Sequence, residues 1–305
     1  MRHLFSINDL SSAEIERIFA ITQDLKSKFE QGVREPLLPG RVMALLFEKP
    51  SLRTRVSFEA GMSHLGGSSL FLGEDVGWGS RESIADFGRV LSQFVDVIVV
   101  RAKAHQKILD LAEHSTCPVI NGLTDYCHPC QALADLYTVR EHFAAMKGLK
   151  VAYVGDANNV ARSLGEICGK LGVKFACAAP NGYQFSDEEV KQLRQESPGI
   201  NLQLTDDPKA AVKDAQAVYT DVWTSMGQEA EREVRRKVFA AYQVNESLMK
   251  AAPKDALFMH CLPANRGEEV TDGVMDSQNS VVVQQAGNRM HVQKGVLAWL
   301  LGSKA

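Results

Sequence analysis

Short apolar runs rich in β-branched residues alternate along this chain with stretches whose apolar positions recur every three or four residues, the signature of strands alternating with amphipathic helices. Ser11 and Glu14 form a capping-box pattern, and Ile15, Ile18, Phe19, Ile21, Leu25 and Phe29 follow at helical spacing. The pattern then predicts a strand at Val42 to Phe47, a helix from Val56 to Leu65 stopped by Gly66-Gly67, and a strand at Ser68 to Leu72. After a glycine-rich loop come a helix at Ile84 to Phe94, a strand at Val97 to Val100, a helix at Gln106 to Ser115, a strand at Val119-Ile120 and a long helix at Gln131 to Phe143. Lys147-Gly148-Leu149 reads as the step into a second unit, where the alternation restarts. Strands are predicted at Lys150 to Val154, Phe175 to Ala178, Leu202 to Leu204, Ala217 to Thr220, Leu257 to Met259 and Val281 to Gln284. Helices are predicted at Val160 to Leu171, Asp187 to Gln195, from Asp207, and at Asn288 to Leu301. Strands that alternate with helices pair in parallel, so the fold class is α/β with doubly wound parallel sheets, and ligands collect at the carboxyl ends of the strands.

A chain of 305 residues with 45% hydrophobic content can fill two ordinary domains. A net charge of -3 offers no general attraction to nucleic acid or to an anionic membrane, so any anion site must come from local clustering. No stretch is apolar enough for a signal peptide or a bilayer span, which predicts a cytoplasmic protein. Six cysteines at irregular positions do not make a disulfide framework, and reduced thiols are expected.

The densest candidate chemistry is Glu48-Lys49-Pro50-Ser51-Leu52-Arg53-Thr54-Arg55, a tight loop between a strand and a helix. Pro50 breaks regular structure, Ser51 and Thr54 are helix-capping residues, and a helix start offers unpaired N–H groups at the positive end of its dipole. Arg53 and Arg55 add full charges, and a guanidinium fork can hold two phosphate oxygens. The plainer alternative is a capped surface helix with solvated arginines. Gly155-Asp156-Ala157-Asn158-Asn159 follows a strand as a dinucleotide loop would, but Ala157 replaces the glycine that lets backbone approach a pyrophosphate. Its asparagines suit the ammonium and carboxylate of an amino acid instead. Cys127-His128-Pro129-Cys130 has redox spacing ahead of a helix, whereas zinc lacks a second ligand pair at finger spacing. Cys261 directly follows a strand, between His260 and Leu262-Pro263, either at a ligand edge or as a small buried hydrophobe. The segment from Gly73 to Ser83, with an exposed-looking Trp78, reads as a mobile functional loop or a linker, and the charged run Gln228 to Lys237 as a solvated face.

Ser51-Leu52-Arg53-Thr54-Arg55, His128-Pro129-Cys130-Gln131 and His260-Cys261-Leu262-Pro263, in this order, together resemble the aspartate/ornithine carbamoyltransferase family over nearly the whole chain. Asp221-Val222-Trp223-Thr224-Ser225-Met226-Gly227 makes it similar to the ornithine branch in particular. The resemblance implies two doubly wound domains joined by long helices: a carbamoyl phosphate domain over 1–146, an ornithine domain over 147–287, and a C-terminal helix, 288–305, returning to the first. It places Ser51, Leu52, Arg53, Thr54, Arg101, His128, Gln131, Cys261, Leu262 and Arg289 on carbamoyl phosphate, and Asn159, Asp221, Ser225 and Met226 on ornithine bound between the domains. Arg53, Arg101, His128, Asp221 and Cys261 are the implied catalytic group. The arginines and His128 would stabilise the oxyanion. Asp221 with Cys261, read as a carboxylate and a thiolate, would bind and help deprotonate an amine whose neutral form costs about 4 to 5 kcal/mol at pH 7. The acyl group arrives activated, so no metal or organic cofactor is expected, and domain closure would keep water from it. The family forms trimers in which a loop reaches the neighbouring site. Where many relatives carry a glutamine in that loop this chain has Gly77-Trp78, with Ser80 and Arg81 available in its place. Alternatives are a carbamoyltransferase for aspartate, acetylornithine or putrescine, and an inactive carbamoyl phosphate-binding homologue.

Overall fold

The computed structural model describes residues 2–225 and 227–302 as two compact units, Met1–Ala134 with Gly287–Ala305, and Asp135–Ala286. In the first unit α1 (Ser12–Glu30), β1 (Val42–Phe47), α2 (Leu52–His64), β2 (Ser68–Leu72), α3 (Ile84–Leu91), β3 (Val97–Arg101), α4 (His105–His114) and β4 (Val119–Leu123) precede α5 (Pro129–His142). The sheet is parallel in the order β2-β1-β3-β4, with Leu45 beside both Phe71 and Val99. The inner strands β1 and β3 are buried almost throughout, as parallel strands covered on both faces must be, and Ala44, Leu46, Ile98 and Val100 pack with Phe87, Ile108 and Leu111.

The second unit has β5 (Lys150–Val154), α6 (Asn159–Leu171), β6 (Lys174–Ala178), α7 (Asp187–Glu196), β7 (Asn201–Thr205), α8 (Pro208–Val212) and β8 (Ala217–Thr220). After them come α9 (Arg232–Phe239), α10 (Glu246–Met249), β9 (Leu257–His260) and α11 (Asp272–Met275), and then α12 (Val282–Leu301). Its parallel sheet runs β7-β6-β5-β8-β9 over a core that includes Val154, Val218, Trp223, Phe239 and Phe258. The division between units falls inside α5 and again inside α12, whereas the sequence places the first step after α5, at 146/147. Two parallel-sheet α/β domains joined by helices is therefore the architecture.

Three expectations are corrected. The strand at Val281 to Gln284 is absent; Val282 to Gln284 begin α12, Val281 precedes it, and the neighbouring Ser280 makes only a single bridge to Phe258. Three successive valines favour a strand locally, but continuity with a 20-residue helix decides the outcome. Trp78 is 4% exposed, its ring tilted against Phe87 with the Lys107 ammonium over its face, because burying its indole outweighs loop polarity. Arg235, in the run read as solvated, is buried.

Candidate functional site

In the first unit the connections leave the sheet in opposite directions from β1 and β3, which opens a crevice at their carboxyl ends. The chain after β1 enters that crevice as the loop before α2. Ser51 caps the helix, its Oγ accepting the Thr54 N–H at 3.3 Å and its hydroxyl donating to Thr54 Oγ1 at 3.1 Å. Arg289, from α12, donates to that same Thr54 oxygen at 2.9 Å, so a residue 235 positions away joins the anion loop. Arg101 ends β3 at a register shift against β4, its carbonyl accepting the Glu48 N–H at 2.8 Å. Arg53 is half-buried on the first turn of α2, and the Leu52 side chain is 75% exposed, which leaves its backbone as the part suited to a ligand.

His128 immediately precedes α5, whose first residue is Pro129, and Gln131 is buried in the first turn. Burial first, then the Arg289 and Arg101 guanidiniums, holds the His128 imidazole well below its ordinary 6.5. It is therefore neutral at pH 7. The redox alternative for the neighbouring cysteines fails on the same physics. Burial pushes the Cys130 thiol up to about 12, and Cys127 donates its S–H to the Phe5 carbonyl at 3.2 Å.

In the second unit the direction reverses between β5 and β8, and the loops after β5, β8 and β9 share that edge. Gly155, with φ of 147°, turns the chain off β5 through backbone that side chains rarely adopt. Asn158 then caps α6, its Oδ1 accepting from the Val160 and Ala161 N–H groups at 2.9 and 3.1 Å. The amides that a dinucleotide phosphate would need are thus occupied by the protein's own side chain. Asn158 Nδ2 in turn donates to Asp221 Oδ2 at 3.0 Å, which aims the carboxylate. Asp221 Oδ1 accepts from its neighbour Val222 N–H at 2.8 Å and from the Cys261 thiol at 3.0 Å. Burial first, then the Asp221 charge, pushes Cys261 well above 9.0, so its side chain is a neutral thiol and not the thiolate expected.

The loop after β9 is braced from within. His260 Nδ1 accepts the Leu262 N–H at 2.8 Å, which puts the ring proton on Nε2, 3.2 Å from the fully buried Glu269 carboxylate. Leu262 takes a φ of 60°, uncommon for a residue with a side chain. Asp221, His260 and Cys261 have potential ligand atoms within 4.8 Å of one another, but both His260 nitrogens already serve the loop. Asn159 opens α6, and the Ser225 N–H is held by Gln228 Oε1 at 3.0 Å. Met226 lies outside the described residues.

Two contributors escaped the sequence reading. Asn158, read with Asn159 as suited to an amino acid, instead spends its side chain on capping α6 and holding Asp221. Arg235 donates to Asp156 at 2.7 Å and to the Trp223 carbonyl at 3.0 Å, tying the loop after β5 to the loop after β8. Burial pushes the Asp156 carboxyl up even beside that guanidinium. The signal for Arg235 is its i, i+4 spacing to the apolar Phe239, which shares its buried helix face and which charge counting obscures.

Known proteins resemble this chain along nearly its whole length. The carbamoyl-P binding domain of the aspartate/ornithine carbamoyltransferases matches residues 2–141, and their Asp/Orn binding domain matches residues 147–300. The ornithine carbamoyltransferase of Anoxybacillus flavithermus is 50% identical over 304 residues, covering 98% of this chain and 96% of its own. The solved ornithine carbamoyltransferase from Pyrococcus furiosus superimposes with a TM-score of 0.96 at 50% identity, covering 100% of this chain and 98% of its own. The anabolic enzyme from Campylobacter jejuni gives 0.92 at 35% identity, covering 98% and 99%.

Proposed function

This chain belongs to the aspartate/ornithine carbamoyltransferase family and transfers the carbamoyl group of carbamoyl phosphate to the δ-amine of L-ornithine, giving L-citrulline and phosphate, and we propose that its two units divide the work by charge. The first holds the acyl phosphate. Ser51, the backbone of Leu52, Arg53 and Thr54 take the phosphate, with Arg289 locked onto Thr54 as a further cation. Arg53, Arg101 and the N–H of neutral His128 face the carbonyl oxygen and stabilise the charge it gains as the tetrahedral intermediate forms. Gln131 orients the carbamoyl amide.

The second unit receives ornithine. The observation that carries this reading is the Cys261 thiol 3.0 Å from Asp221 Oδ1, with Asn158 on the other carboxylate oxygen. An entering ammonium replaces the thiol as the carboxylate's donor, its proton passes to Asp221 as nitrogen attacks the carbonyl carbon, and phosphate leaves as the intermediate's C–O bond breaks, with Cys261 remaining a neutral donor. Asn159, Ser225 and Met226 hold the amino-acid end, and Cys261 and Leu262, on the loop after β9, are assigned the remaining carbamoyl phosphate contacts. This set selects a cationic acceptor over aspartate.

The assembly we propose is a homotrimer. Val56, Leu70 and Phe71 are exposed beside the edge strand β2, an apolar surface suited to a second copy. With Trp78 turned inward, the exposed Ser80 and Arg81 are the residues left to reach a neighbour. The biosynthetic direction follows the anabolic relatives. The test of the acceptor site is alkylation of Cys261, the one half-buried thiol of the six. Ornithine added to the carbamoyl phosphate complex is expected to shield it more than carbamoyl phosphate alone, and equal labelling would place the acceptor elsewhere.

A further inference from the structure

Gln285 lies in the first turns of α12, fully buried, and its side chain meets two groups of opposite demand. Its Oε1 accepts the His260 N–H at 3.0 Å, at the carboxyl end of β9, and its Nε2 donates to Asp135 Oδ1 at 2.7 Å. Asp135 is itself fully buried on α5. The next residue after His260 is Cys261, whose thiol points to Asp221, and the Leu262 N–H is already bound to His260 Nδ1. The backbone from which the acceptor loop departs is thus anchored through one amide to a buried carboxylate on another helix.

We propose that Gln285 is a positioning residue for the acceptor-amine site, holding the end of β9 against Asp135 so that Cys261 is aimed at Asp221; this rests on the reading of that pair as the amine site. An amide is the group that fits. It donates to a carboxylate and accepts from a backbone N–H without bringing a charge into the site. The titratable groups that face Asp135 include Cys168 from α6, Tyr219 from β8 and Cys261 after β9, all held in their neutral forms chiefly by burial. A carboxylate in place of the amide would set two anions against each other in a dry site. An apolar side chain of the same length would leave the His260 N–H and the Asp135 oxygen without this partner.

The test uses the full-length enzyme and two variants, with unfolding curves as a control. Gln285→Met is expected to raise the KM for ornithine and lower kcat, together about tenfold in kcat/KM, with the KM for carbamoyl phosphate unchanged. In Gln285→Glu a protonated carboxyl can reproduce both bonds. This variant should approach wild-type activity at low pH, and its kcat/KM for ornithine should fall progressively below the wild-type value as pH rises. If Gln285→Met does not fold, the Gln285→Glu profile decides. A wild-type ornithine KM in the folded Met variant, or a Glu variant with the wild-type pH profile, would overturn the positioning role. Failure of ornithine to protect Cys261 in the unmodified enzyme would instead overturn the amine-site reading itself.

Discussion

Asp221 and Cys261 contribute unequally, because one carries charge and the other a neutral donor. Asp221→Asn removes the only countercharge for the ammonium in its loop, and we expect a loss of kcat/KM for ornithine of at least 100-fold, on the scale of a broken buried charge interaction. Cys261→Ser keeps a hydroxyl donor of similar size and should cost less, about tenfold, with the alkaline pKa of kcat/KM displaced. Steady-state kinetics in both variants measure the difference, and equal losses would contradict the assigned division. Arg53→Ala should weaken carbamoyl phosphate by about 3 kcal/mol in calorimetry, since an arginine in a phosphate cradle supplies a charge-assisted fork. Among the tryptophans, Trp223 is the expected reporter of ornithine: its carbonyl is bound by Arg235 and its ring stacks on Phe239, two residues after Asp221. Trp223→Phe should abolish the ornithine-dependent change in emission, whereas Trp78→Phe should not.

At the scale of the element, the start of α12 separates two accounts of the same valines. Val283 is 85% exposed, so its substitution reads backbone preference rather than packing. Val283→Ala should stabilise the protein by about 0.5 kcal/mol if the segment is helical, and destabilise it if the segment is a strand. Chemical denaturation distinguishes the two signs. The caps behave similarly: Ser51 holds the first turn of α2 as well as facing the anion site, so Ser51→Ala should lose about 1 kcal/mol of stability beyond any loss of binding.

For the whole molecule, the histidines set the acid side of stability. His3, His64, His105 and His128 all have pKa values lowered from 6.5, each with burial as its first cause. Below about pH 6.5 the unfolded chain therefore binds protons that the native state refuses, and stability falls as pH drops from 7 toward 5. Lys294, lowered to about 8 chiefly by burial, works in the same direction higher up, so its contribution rises from about pH 8 toward 10.5. Urea unfolding at pH 5, 6 and 7 should show the midpoint climbing with pH. The proposed trimer is checked by sedimentation: Leu70→Lys, on the exposed edge strand, should yield smaller species, and an unchanged mass would move the interface away from β2.

Alternation of strand and helix signals was enough to determine the fold class and the carboxyl-edge loops, because a parallel α/β unit repeats a local pattern. Motif spacing further marked Ser51 to Thr54, His128, Asp221 and Cys261 as candidates, since each stands just after a strand or at a helix start. Tertiary structure decided what those residues are chemically. The thiol of Cys261 stays neutral because burial and the Asp221 charge act together, and neither is a property of local sequence. Likewise Arg289 reaches Thr54, Gln285 reaches Asp135 and Arg235 reaches Asp156 only because distant segments meet, and burial, not composition, makes those polar contacts matter. Trp78 and the valines before Gln284 were misread for that same reason: a loop's polarity and a strand's local preference both yield to the packing around them.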